Sequence, residues 1–179
     1  ADLIAQAEHD VNAQSILITD DRNLIKLVNI SLKKQLLELP KKKIASQSIR
    51  NFGLAILAKN KKRIIEIINT IAPEHLELYT NNNKAIIKGV KNAGSIFLGK
   101  FSPEAIGDYI AGPNHVLPTT GSARFSSGLS VNDFLKRYSL IKITKTGIER
   151  LGASVINLAK YENLEGHANS VKMRLKKEN

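Results

Sequence analysis

The 179-residue chain has no cysteine, no tryptophan and a single methionine. Without cysteine there is no disulfide framework, no thiolate zinc finger and no cysteine nucleophile. A reducing compartment is allowed. Aromatic residues are few, four Tyr and five Phe. No apolar run reaches the ~18 residues of a membrane-spanning helix. The opening ADLIAQAEHD lacks the basic region and long apolar core of a secretory signal. No two glycines lie two apart, so the GxGxxG fingerprint is excluded, and neither a P-loop nor a GxSxG elbow occurs. HExxH and the EF-hand loop are missing as well. Residue 1 is Ala and Met173 is the sole methionine, so the chain is expected to be part of a longer polypeptide.

What is present reads as an ordinary soluble domain with an appended arm. Hydrophobic residues make up 42% and charged residues 24%. The formal net charge is +11, from 27 basic and 16 acidic residues. A basic chain invites a nucleic-acid reading. Here the basic residues are scattered, with small clusters at Lys41–Lys43, Lys59–Arg63 and Lys172–Lys177. Few aromatics accompany them, and a single-strand binder needs stacking platforms beside its basic groove. The charge therefore reads as a Lys-, Asn- and Ile-rich composition that serves solubility. Neither a nucleic acid nor a membrane is expected as a partner.

Hydrophobic patterning alternates along the chain. Residues 2–9 read as an amphipathic helix and Ser15–Thr19 as a buried strand. Asp20 and Asp21 offer N-cap chemistry for a helix through Leu39, which Pro40 ends. Leu54–Ala58 reads as a second strand. Asn60 caps a helix with Ile64, Ile65, Ile67 and Ile68 on its apolar side. Leu76–Tyr79 is a third strand, residues 82–90 a helix and Ser95–Leu98 a fourth strand. This alternation predicts an α/β fold with a mainly parallel sheet. From Ser102 to Gly128 the chain is rich in Gly, Pro, Ser, Thr and Asn and reads as one long functional loop. Ser130 can cap a helix over VNDFLKR. A strand over 139–143 and two helical stretches over 146–177 follow, the last a basic terminal arm.

Four histidines lie beside carboxylates or amides. Gln6 and His9 are three residues apart, near enough on a helix to share a ligand. Glu74 and His75 set two titratable groups side by side ahead of a strand, and Asp108 and His115 share the long loop. Glu162 and His167 are five apart, so on one ideal helix they point about 140° from each other. They share a site only where the helix bends or ends between them. A mixed set of imidazole, carboxylate and amide suits zinc with an open position. Taken singly, each histidine reads first as a surface or hydrogen-bonded residue, and Glu74–His75 first as a strand-edge pair facing water. Ser126 and Ser127 read as turn-forming or capping serines.

The strings LIAQAEHD (residues 3–10), APEHLEL (72–78), NAGSIFL (92–98), GDYIAGPNHVLPT (107–119), RFSSGLSVNDFL (124–135) and ENLEGH (162–167) occur in that order. Together they resemble the histidinol dehydrogenase family, over essentially the whole chain. The family polypeptide is much longer, and this chain resembles its C-terminal portion. The resemblance implies an incomplete Rossmann-like α/β unit, a mainly parallel sheet flanked by helices, with a C-terminal helical arm. Residues 1–129 would then form the catalytic and zinc-site domain and 130–179 the dimerisation arm. It implies oxidation of L-histidinol to L-histidine in two successive NAD-dependent steps through the aldehyde, with one zinc per site, in the cytoplasm. By the same resemblance Gln6, His9, Asp108 and His167 match the zinc ligands, and all four border the substrate. Glu74 and His75 match the catalytic acid–base pair, His75 also touching substrate. Glu162 matches a substrate-contacting acid, and His115 has a supporting role. In this scheme His75 takes the hydroxyl proton and Glu74 activates the water that hydrates the aldehyde. The family's NAD-contacting residues have no counterpart in this chain, so none is assigned and the isolated chain is expected to be inactive. A homodimer is implied, its arm carrying Glu162 and His167 to the partner's site.

Overall fold

The computed structural model describes residues 1–175. The end of the basic cluster Lys172–Lys177, and of the helix expected to reach residue 177, lies outside the described residues. Two compact units divide the chain, Ala1–Phe134 and Leu135–Asn179.

In the first unit the alternation of apolar runs and caps becomes helix, strand, helix. Helix α1 spans Asp2–Ala7 and strand β1 Ile16–Thr19. Asp21 then caps α2, Arg22–Glu38, its carboxylate accepting from the Asn23 N–H at 2.7 Å. Pro40 follows its extended C-cap, Leu39. Helix α3, Lys42–Phe52, is left unassigned by the sequence pattern. It is polar overall, and its inner stripe is small, with Ala45 and Ser48 buried. Ser48 Oγ donates to the Ala13 carbonyl at 2.8 Å, which satisfies that buried hydroxyl. Strand β2, Leu54–Leu57, pairs in parallel with β1, Ile16 opposite Leu54.

Asn60 caps α4, Lys61–Ile71, accepting from the Arg63 N–H at 2.9 Å. The helix closes on Ala72 in the left-handed region, and Pro73 prevents its continuation. Strand β3, His75–Leu78, short helix α5, Asn83–Ile87, and β4, Ser95–Leu98, follow. Strands β3 and β4 pair in parallel with His75 opposite Ser95. The mainly parallel sheet is thus realised as two separate parallel pairs. Ile68 of α4, Leu76 and Leu78 of β3 and Ile86 of α5 form the core, with Ile18 of β1 packed against it.

Three expectations are corrected downstream. The segment 102–128 is not one loop, because Glu104–Tyr109 forms helix α6 and Ser122–Arg124 a turn of 3₁₀ helix. The helix expected over VNDFLKR is only a 3₁₀ turn, Val131–Phe134. In the second unit, no strand forms over 139–143. Leu140 and Ile141 are exposed there, and no strand among the described residues offers the ladder such a segment needs. Helices α7, Lys145–Tyr161, and α8, Glu165–Leu175, pack together. Ala159 and Ala168 are buried. A Cβ on Gly152 would meet Leu175 at 2.7 Å, so a small residue is required where α8 crosses. No helix among the described residues is long and apolar enough to cross a membrane.

Candidate active site

Strand alternation builds the first half of the site. Leu76 and Leu78 face the core, so His75 and Glu77 face the other side of β3. Helix α6 is anchored on that side. The Glu104 N–H donates to Glu77 Oε1 at 2.8 Å. A glycine permits this approach, since a Cβ on Gly107 would stand 2.5 Å from the ring of Phe97. Gly94 acts likewise just ahead of β4, where a Cβ would meet the Glu74 carbonyl oxygen at 2.5 Å. Glu104 and Asp108 are four apart on α6 and share a face.

The result is a cluster of titratable groups around His75. Its Nδ1 lies 3.2 Å from Glu104 Oε1 and its Nε2 3.9 Å from Asp108 Oδ1. That Nε2 is buried and has no hydrogen-bond partner among the described residues. His115 Nδ1 lies 3.1 Å from the same Asp108 oxygen, and its ring stacks on His75 at 5.4 Å between centroids. Phe97 closes another side, 6.1 Å from the His75 ring. His9 enters from beyond the end of α1. One ligand atom from each of His9, Glu104 and Asp108 lies within 4.8 Å of the other two, and His75, Asp108 and His115 form a second such group.

The electrostatics follow from crowding acids in a half-dry place. Burial raises the pKa of Glu104 from 4.5 to about 7, with Asp108, Glu77, Glu74 and Asp2 adding to the rise. Burial also raises Glu74; Asp108 adds to that, while His115 and His9 oppose it. His75 is held below the usual histidine range by burial first, with His115 and His9 assisting and Asp108 opposing. A neutral imidazole with a free nitrogen is a competent base. Imidazole nitrogen and carboxylate oxygen are the donors zinc prefers, so His9 and Asp108 suit that metal, with Glu104 close beside them.

Of the residues singled out in the sequence, Glu74, His75, Asp108 and His9 come together in the first unit. Gln6 lies on α1, whose end leads to His9, and its carbonyl accepts from the His9 N–H at 3.4 Å. Glu162 and His167 belong to the second unit. Helix α7 ends between them, with Glu162 as its C-cap and Asn163 left-handed at φ 58°, so the wide angle of one ideal helix does not apply. Sequence reasoning missed Glu104. Its signal was the i, i+4 spacing to Asp108, hidden once the segment was read as loop. His115, given only a supporting role, contacts Asp108 directly.

The chain is similar to known proteins over nearly its whole length. The family model described as Histidinol dehydrogenase matches residues 1–175. A histidinol dehydrogenase of Pelagibacter ubique is 54% identical over 177 residues, covering 99% of this chain and 41% of that protein. One from Bacillus subtilis is 46% identical over 174 residues, covering 97% and 41%. The crystal structure of histidinol dehydrogenase from Elizabethkingia anophelis superposes with a TM-score of 0.91 at 40% identity, covering 97% of this chain and 40% of that one. The chain therefore spans about two fifths of the length of the relatives it matches.

Proposed function

Because the chain belongs to the histidinol dehydrogenase family, we propose that it carries the metal-binding and acid–base part of an enzyme that oxidises L-histidinol to L-histidine in two NAD-dependent steps. The observation that carries this reading is His75, whose buried Nε2 has no partner among the described residues and lies 3.9 Å from Asp108. A base aimed at a cluster of metal-type donors is what alcohol oxidation requires.

Zinc would supply a Lewis acid that fixes the amino and imidazole nitrogens of the substrate, and NAD the hydride acceptor for each oxidation. Gln6, His9, Asp108 and His167 are the proposed zinc ligands, and they border the substrate as well. His75 Nε2 takes the hydroxyl proton as the alcohol is oxidised. Glu74 then takes a proton from the water that adds to the aldehyde. Burial raises its pKa above the usual carboxylate value, which makes it a stronger base toward that water. Glu162 pairs with the cationic end of the substrate. The complete enzyme is a cytoplasmic homodimer in which the arm, residues 130–179, joins the subunits. Without the remaining part of the family polypeptide this chain binds metal and substrate but does not turn over.

Zinc titrated into the metal-free chain tests the reading. One zinc per chain is expected, and L-histidinol is expected to bind only the zinc-loaded form. Simultaneous replacement of His9, Asp108 and His167 by Ala should abolish both. Zinc held with unchanged affinity by that triple variant would overturn the assignment.

A further inference from the structure

We propose that Glu104 is a positioning residue for His75: its carboxylate accepts the Nδ1 proton and so keeps the lone pair on Nε2. The proposal rests on the reading of His75 as the base. It concerns a residue to which no role has been given beyond membership of the acidic cluster. Glu104 Oε1 lies 3.2 Å from His75 Nδ1, and the residue is buried. A carboxylate only accepts, so the imidazole nitrogen facing it must bring the proton. The opposite tautomer would set two acceptors against each other at that distance. It would also leave the lone pair on the nitrogen turned away from Asp108. His75 Nε2, on the Asp108 side, is buried and unpartnered among the described residues. Nothing there competes for its lone pair.

Glu104 is itself held. Its N–H donates to Glu77 Oε1 at 2.8 Å, and Gly107 lets its helix lie against Phe97. The ring it orients is flanked by Phe97 on one side and stacked on His115 on another. This is the logic by which a buried carboxylate sets the tautomer of a histidine base through the far ring nitrogen.

The test is ¹⁵N NMR of the ring nitrogens of His75 in the 179-residue chain, metal-free and zinc-loaded, at mildly alkaline pH. With four histidines, the His75 signals are assigned by their loss in His75→Gln. The expected result is a single tautomer, protonated at Nδ1 and bare at Nε2. In Glu104→Gln the amide can donate or accept, and the ratio of the two tautomers should change by about tenfold. Zinc affinity should persist in that variant. A wild-type His75 protonated at Nε2 overturns the proposal without any variant. So does a Glu104→Gln spectrum with the wild-type ratio. Loss of zinc in Glu104→Gln with an unchanged tautomer also overturns it, and makes Glu104 a ligand instead. A chain that binds neither zinc nor L-histidinol, yet whose His75 tautomer follows Glu104, sinks the proposed function and leaves the positioning role standing.

Discussion

Replacing Glu104 by glutamine should stabilise the metal-free protein, and should do so only above the pH at which carboxyls ordinarily ionise. Glu104 is 7% exposed. Burial, with the nearby carboxylates, raises its pKa from 4.5 to about 7. Between those values the folded protein holds a proton that the unfolded chain releases. The unfolded state then binds fewer protons, so the free energy of unfolding falls as pH rises. The contribution is fully present below the unfolded value and is lost as pH climbs through the folded one. A rise of this size corresponds to about 3 kcal/mol. That is a large share of the ~5–15 kcal/mol that holds a typical domain. Glutamine keeps the shape and cannot ionise, so its variant lacks this slope. Urea unfolding of both proteins, from about pH 5 to about pH 8.5, gives the difference directly. It should be under about 1 kcal/mol at the acid end, and the glutamine variant should lead by about 3 kcal/mol at the other. His75 works in the opposite sense. Burial lowers its pKa, so its contribution is lost as pH falls below 6.5, and it largely cancels between the two proteins. A difference that stays flat across the range would refute the reasoning, because Glu104 would then be no drier in the folded protein than in the unfolded one.

Gly107→Ala should cost about 1–3 kcal/mol by driving a Cβ into the Phe97 ring. In a Phe97→Ala background that cost should largely vanish, which a double-mutant cycle measures. Ile68→Ala, at a side chain 2% exposed in the core, should lower the unfolding free energy by about 2–5 kcal/mol in urea. Asn60→Ala should cost about 1 kcal/mol by leaving the Arg63 N–H without its cap, and Asn60→Asp should restore most of it.

The legible parts of the fold were those with local causes. Asp21 and Asn60 cap helices because a short side-chain oxygen reaches a free N–H two or three residues on, and that chemistry is visible in any sequence. The four strands were visible as branched apolar runs, each displaced by no more than a residue. What failed depended on distant partners. The apolar alternation over 139–143 is real, but a strand exists only where another strand pairs with it. Helix α3 was overlooked because its buried stripe is made of Ala45 and Ser48 rather than large apolar residues. Helix α6 was hidden among turn-forming residues, and Glu104 was hidden with it. His75, Glu74, Asp108 and His9 were legible through the family's motifs; the same motifs include Glu104's neighbours but gave it no role.

The arrangement of the site explains why its acids sit where stability argues against them. Period-two alternation on β3 sends Leu76 and Leu78 into the core and leaves His75 facing helix α6. That face is half-dry, which weakens His75's affinity for a proton and leaves an imidazole able to accept one from a substrate. The same dryness penalises Glu104 and Glu74 as anions. A divalent metal held by His9 and Asp108 would place a positive charge beside Glu104 and offset that penalty. A substitution that relieves the penalty, as Glu104→Gln should, removes the means by which the site holds its base in register.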